Sequence, residues 1–236
     1  MCNECIDIRH VGLGRRGLLG MVSAGLLAGG LPMKAALAAD APITADAALK
    51  RLMDGHKAYM DGNASVGDYG PGRAGRAGGQ SPIAAILSCA DSRVLPELIF
   101  NQGPGDVFVC RVAGNVENAD GIASLEYGAR FLNIPLILVL GHSGCGAVDA
   151  AIKVHRENAA LPGHLPGLIN MIVPAVKQAE AMKPKDLLAA AIVENVRNTV
   201  QNISTSQPLL APKVQGGTLK VVGAVYDVGS GNVTMV

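Results

Sequence analysis

The chain has 236 residues, with 20 Lys and Arg against 19 Asp and Glu and a formal charge of +1. That balance excludes a polybasic nucleic-acid binder and an acidic disordered tail as the main design. Hydrophobic residues make up 49% and charged ones 17%, enough for a sizeable core, while 3% aromatic residues and no Trp leave few platforms for stacking bases or sugars.

The N-terminus reads as an export signal. Arg9, Arg15 and Arg16 precede fifteen uncharged residues, Gly17 to Leu31, and Ala36-Leu37-Ala38 is a small-x-small cleavage site. The Arg15-Arg16 pair ahead of a weakly hydrophobic Gly/Ala stretch points to the twin-arginine route and so to the periplasm. A bilayer-spanning helix needs ~20 apolar residues. Residues 1–38 are therefore expected to be cleaved, leaving no stable membrane anchor, with 39–236 as one folded domain.

Ala45 to Gly62 has apolar residues at helical spacing (Ala48, Leu49, Leu52, Met53, Met60), a helical arm in front of the sheet. Residues 62–80 hold seven Gly with Arg73 and Arg76, a connector. Pro82 to Ser88 is a short apolar run of the buried parallel-strand type; Asp106 to Val112 and Pro135 to Leu140 read alike, with a helix over Gly121 to Leu132 between them. Helices are expected over Cys145–Val154, Leu165–Met182 and Lys185–Ser204. Thr218–Asp227 and Asn232–Val236 flank Gly229-Ser230-Gly231, the signal of an antiparallel edge hairpin. Short apolar strands alternating with helices give the fold class: α/β, a mostly parallel central sheet flanked by helices.

Cys89, Cys110 and Cys145 remain after the signal, an odd number that argues against a disulfide framework. Cys110 sits in an apolar run and reads as a core thiol. Cys89 and Cys145 do not, because each lies in a chemically loaded turn at a strand end. Cys89-Ala90-Asp91-Ser92-Arg93 follows the first strand, and His142-Ser143-Gly144-Cys145-Gly146 follows the third. Ligand sites of open parallel sheets gather outside the carboxyl ends of strands, so both turns open into one crevice. Cys89, His142 and Cys145 form a Cys₂His set, a catalytic zinc arrangement that keeps its fourth position open. Asp91 and Arg93, two apart on a turn, are suited to a charge-assisted pair that keeps the carboxylate ionised beside the metal. Bound zinc lowers the pKa of water to ~7. His56, His155 and His164 have no matched partner and read as surface or capping residues.

These two turns resemble those of the β-class carbonic anhydrases. So do Pro104-Gly105-Asp106-Val107-Phe108, Ser124-Leu125-Glu126-Tyr127-Gly128-Ala129 and Gly223-Ala224-Val225-Tyr226-Asp227, and the resemblance runs from about Ala45 to Val236. It implies Zn²⁺ on Cys89, His142 and Cys145, the Asp91–Arg93 dyad, reversible hydration of CO₂ to bicarbonate and a proton, and a homodimer or dimer of dimers. It also implies a substrate pocket of Gln80, Phe108, Tyr127 and the Gly146 amide, with Gln80 and the aromatics contributed across the dimer interface. The chain departs from the plant-type enzymes at Val112, where they carry Asn after the Arg. Gln80 and the missing Trp favour the open-site, plant-like subtype over the one in which Asp91 caps the metal. The alternative is a zinc protein of this fold acting on another small electrophile such as carbon disulfide, or an inactive relative.

Overall fold

A computed structural model describes residues 43–65, 70 and 72–236. The expected export signal, 1–38, lies outside the described residues. The chain runs through α1 (Ala45–Met60), α2 (Arg73–Arg76), β1 (Ala84–Ser88), α3 (Pro96–Ile99), β2 (Val107–Arg111), a 3₁₀ turn over Ala113–Asn115, and α4 (Ala119–Phe131). It continues through β3 (Leu136–His142), α5 (Gly146–Glu157), α6 (Leu165–Asn170), α7 (Val173–Ala181), α8 (Leu187–Thr205), α9 (Leu210–Gln215), β4 (Lys220–Tyr226) and β5 (Val233–Met235).

The strands lie in the order β2-β1-β3-β4-β5. All neighbours pair in parallel except β4 with β5, which are antiparallel. This is the expected α/β sheet with its edge hairpin. β1 and β3 are buried at every position because helices cover both faces. Side chains of alternate parity serve the two faces. Ile86, Leu136, Leu138 and Leu140 pack towards Leu52 of α1 and Ile99 of α3, while Ala85, Leu87, Ile137 and Val139 pack towards Leu125 of α4 and Val196 and Ile203 of α8. A third apolar group lies beyond the strand ends: Cys89 and Cys145 sit there with Val148 and Ala151 of α5, Val176 of α7 and Ile192 of α8.

The termini of the helices follow their local chemistry. Thr44 accepts from the Ala47 amide at the start of α1, Asn118 from Gly121 at α4, and Asp186 from Ala189 at α8. The helix expected over Leu165–Met182 is two, broken at Met171-Ile172. Pro174 has no amide proton to continue the first helix and suits only the opening turn of a new one. His56 also departs from expectation. It is buried, its Nδ1 lies 3.1 Å from the Ile99 carbonyl, and its Nε2 accepts from the Val233 amide at 3.2 Å, so it ties α1 to β5. His155 meets Glu180 at 2.9 Å, and His164 precedes α6. Cys110 is half-buried, and burial pushes its thiol up.

Candidate metal centre

The site forms where β1 and β3 end side by side. Ser88 is in register with Leu140, so Cys89 and His142 emerge next to each other at the carboxyl edge of the sheet. Gly144, at φ +66, makes the left-handed turn that brings Cys145 round to cap α5. Ser143 anchors this turn: its amide donates to the Tyr226 carbonyl at 2.9 Å and its hydroxyl accepts from Val228 at 2.9 Å. Cys89, His142 and Cys145 are all buried, and their ligand atoms lie within 4.8 Å of one another.

The donor chemistry fits zinc. His142 Nδ1 lies 3.0 Å from the Ser143 carbonyl, which can only accept, so Nδ1 carries the proton and Nε2 is left with a lone pair. That Nε2 is buried and has no hydrogen-bond partner. A buried lone pair within 4.8 Å of two cysteine sulfurs is suited to hold a cation with them. Between the sulfurs, the hydrogen bond from Cys145 draws the Cys89 thiol down to about 4 against the cost of burial. The same bond and burial push Cys145 up. Two cysteine sulfurs and a neutral imidazole are donors that suit zinc, and a metal ion held there would take the place of thiol protons. Burial opposes charge on His142 while the Cys89 sulfur favours it, with a net upward shift.

Asp91 and Arg93 are paired as their spacing suggests. Asp91 Oδ1 accepts from the Arg93 amide at 3.0 Å and from Nε at 2.9 Å, and Oδ2 accepts from Nη2 at 2.7 Å. The guanidinium holds the carboxyl well below the usual carboxylate range, and Oδ2 faces His142 Nε2 at 3.9 Å. Arg111, at the end of β2, braces the same turn: Nε donates to the Cys89 carbonyl at 3.1 Å and Nη2 to the Asp91 carbonyl at 2.6 Å. The Gly114 amide donates to Cys89 Sγ at 3.3 Å, and Asn195 Nδ2 donates to the Gly114 carbonyl at 2.7 Å. Sequence reading assigned no role to Arg111, Gly114 or Asn195. The available signal was Asn195 itself, a carboxamide on the apolar stripe Ile192, Val196 and Ile203.

The remaining expected pocket residues are dispersed. Gly146 opens α5 directly after Cys145. Gln80 is exposed and lines a cavity of about 630 Å³ with Arg76, Ser81, Pro104 and Asp106. It precedes β1, whereas Cys89 follows β1, so the length of a five-residue strand, roughly 16 Å at ~3.3 Å per residue, separates the two ends. Phe108 pairs with Ala85 near the start of β1, and its ring stacks on Tyr127 at 6.4 Å. Tyr127 meets Phe131 at 5.2 Å, and these two are 48% and 61% exposed. One protomer thus does not bring Gln80 to its own Cys89.

Known proteins resemble this chain in sequence and fold. A family model described as carbonic anhydrase matches residues 84–233. Carbonic anhydrase 2 of Mycobacterium tuberculosis is 34% identical over 192 residues, covering 80% of this chain and 91% of that one. Among solved structures, Coccomyxa β-carbonic anhydrase in complex with acetazolamide superposes with a TM-score of 0.62 at 30% identity, over 80% of this chain and 83% of that one. A crystal structure from a study of two tetrameric β-carbonic anhydrases of Sordaria macrospora shares the fold at a TM-score of 0.62 and 22% identity, over 80% and 93%. With the family model spanning the sheet from β1 to β5 and both motif turns standing at the strand ends, the chain belongs to the β-class carbonic anhydrase family.

Proposed function

We propose that this enzyme catalyses the reversible hydration of CO₂ to bicarbonate and a proton with one zinc ion held by Cys89, His142 and Cys145. The observation that carries the reading is the buried, partnerless Nε2 of His142 between two cysteines. Zinc supplies the Lewis acidity that makes water a nucleophile near neutral pH. The protein's own residues do the rest. Ser143 fixes the imidazole tautomer, and the apolar packing of Cys89 and Cys145 with Val148, Ile172 and Ile192 holds the two sulfurs in place. Asp91 stays ionised and accepts a hydrogen from the attacking water, which turns a lone pair towards the CO₂ carbon. Arg93 holds the carboxylate through both oxygens, so it cannot swing freely, and this favours the open resting form. The Gly146 amide, at the positive end of α5, suits the developing bicarbonate oxygen.

Purified protein should carry about one zinc per chain and hydrate CO₂ in a stopped-flow indicator assay at pH 7. Asp91→Ala should lose ~10²-fold in turnover with zinc retained. Zinc-loaded protein with no CO₂ hydration at any pH would dismiss the reading, and activity confined to pH above 8 would mean that Asp91 caps the metal at rest.

The working unit in this reading is a homodimer, or a dimer of dimers, in which Gln80 serves the second protomer's site beside Phe108 and Tyr127. The exposed Tyr127–Phe131 aromatic run supports it. We also propose export to the periplasm by the twin-arginine route, on the strength of Arg15-Arg16 and the uncharged stretch from Gly17 to Leu31. Among the described residues no helix is long and apolar enough to cross a membrane. A reporter fused to residues 1–38 should reach the periplasm, and replacing Arg15-Arg16 by Lys-Lys should stop it. Export that survives the replacement would point to the general secretory route.

A further inference from the structure

Asn195 stands on the inner face of α8 with 3% of its surface exposed, among Ile192, Val196 and Thr199. A carboxamide in such surroundings is tolerated only if it is bonded. Its Nδ2 donates to the Gly114 carbonyl at 2.7 Å, joining residues 81 positions apart. The Gly114 amide in turn donates to Cys89 Sγ at 3.3 Å. Gly114 sits at φ +74, and a Cβ there would lie 2.6 Å from Ile172 Cδ1 and 3.2 Å from Ala147 Cβ, so the position demands glycine. Glycine, however, is the residue least able to hold its own dihedrals. The 114–115 peptide is held at one edge within the turn, where the Asn115 amide donates to the Val112 carbonyl at 2.8 Å, and at its other edge from outside the turn by the bond from α8 to the Gly114 carbonyl.

We infer that Asn195 is a positioning residue of the metal centre: by holding the Gly114 carbonyl it keeps the Gly114 amide on Cys89 Sγ, and so sets how firmly that sulfur holds a metal ion. The inference rests on the zinc reading of Cys89, His142 and Cys145. A backbone N–H aimed at a thiolate stabilises its charge and fixes its direction, and partners of this outer kind typically change metal affinity by ~10–100-fold. Arg111 cannot substitute, because its two side-chain hydrogen bonds reach the carbonyls of Cys89 and Asp91 and not the sulfur.

The test uses the full-length protein and Asn195→Leu, which keeps the volume and removes the donor. Thr199→Val, one turn further along the same buried face, is the comparator for general loosening of α8. Transfer of zinc to a chromophoric chelator should be ~10–100-fold faster from Asn195→Leu than from the unmutated protein or Thr199→Val. In the Co²⁺-substituted protein the sulfur-to-metal charge-transfer band should move to lower energy, because a sulfur without its N–H donor gives up an electron more easily. Unchanged release and an unchanged band in a folded Asn195→Leu protein overturn the inference, as does an equal acceleration in Thr199→Val. If Asn195→Leu fails to fold, ¹¹³Cd-substituted unmutated protein decides: scalar coupling between the metal and the Gly114 amide proton supports the bond to sulfur, and its absence overturns it. Failure of the unmutated protein to bind any metal would instead overturn the zinc reading on which this rests.

Discussion

Asp91 has two oxygens and four lone pairs, and Arg93 takes three of them through its backbone and side chain. The guanidinium therefore holds the carboxyl well below the usual carboxylate range. A native carboxylate so depressed binds fewer protons than its unfolded counterpart. The linked stability is present above the unfolded value of ~3.9 and lost as pH falls through the native one. In metal-free protein, Arg93→Ala should lower the urea midpoint more at pH 6 than at pH 3; an equal gap at both would show that the pair is not linked to folding. Cys89, Asp91, Arg93, His142 and Cys145 were legible in the sequence because each lies within four residues of another, in a turn. Asn195 and Gly114 were not, since the bond between them spans 81 residues and only the packing of α8 on the sheet creates it.

Elements repeat this division between local and distant determinants. Central strands announce themselves as apolar runs because both faces are covered, whereas α2, α3 and α9, at four to six residues, are too short to show a helical period. The break between α6 and α7 was visible in Pro174, but the apolar pattern running past it masks the missing amide. Helix α8 lies so close to the sheet that glycines are required beneath it. A Cβ on Gly141 would sit 2.6 Å from Val196 Cγ2, and one on Gly223 2.6 Å from Val196 Cγ1. Gly223→Ala should destabilise by ~1–3 kcal/mol in thermal or urea unfolding. Adding Val196→Ala should return part of that loss, a coupling of ~0.5 kcal/mol or more in a double-mutant cycle. Strict additivity would mean that α8 shifts away from the sheet and the contact is not what costs.

For the molecule as a whole, the distance between Gln80 and Cys89 within one protomer is the feature that the proposed dimer answers. Phe131 is 61% exposed and continues the ring contacts of Phe108 and Tyr127, with the Arg130 guanidinium 5.7 Å from its ring centre. Phe131→Asp should weaken self-association by roughly 2 kcal/mol or more, seen as a smaller species in sedimentation velocity. CO₂ hydration should fall with it while zinc content stays at parent level, since Cys89, His142 and Cys145 come together within one chain. Full activity in a monomer would remove Gln80 from the pocket. The separation of Gln80 from Cys89 was implicit in the strand read over Pro82–Ser88, which lies between them, whereas the exposed aromatic run could not be read from the sequence because it depends on which face of α4 the sheet leaves uncovered.

The register between β1 and β3 carries a consequence for assembly. His142 and Cys145 are three residues apart and can grip a metal ion as a local loop, well before the sheet is complete. Cys89 reaches them only when Ser88 has come level with Leu140. A slip of one residue would carry the sulfur ~3.3 Å along the strand and reverse the faces of β1. In the proposed zinc enzyme a bond from Cys89 would thus work as a vernier on strand alignment: chains paired out of step would offer a metal ion two donors where the aligned chain offers three. Following the growth of two-sulfur coordination during refolding would time the alignment of β1 and β3 directly.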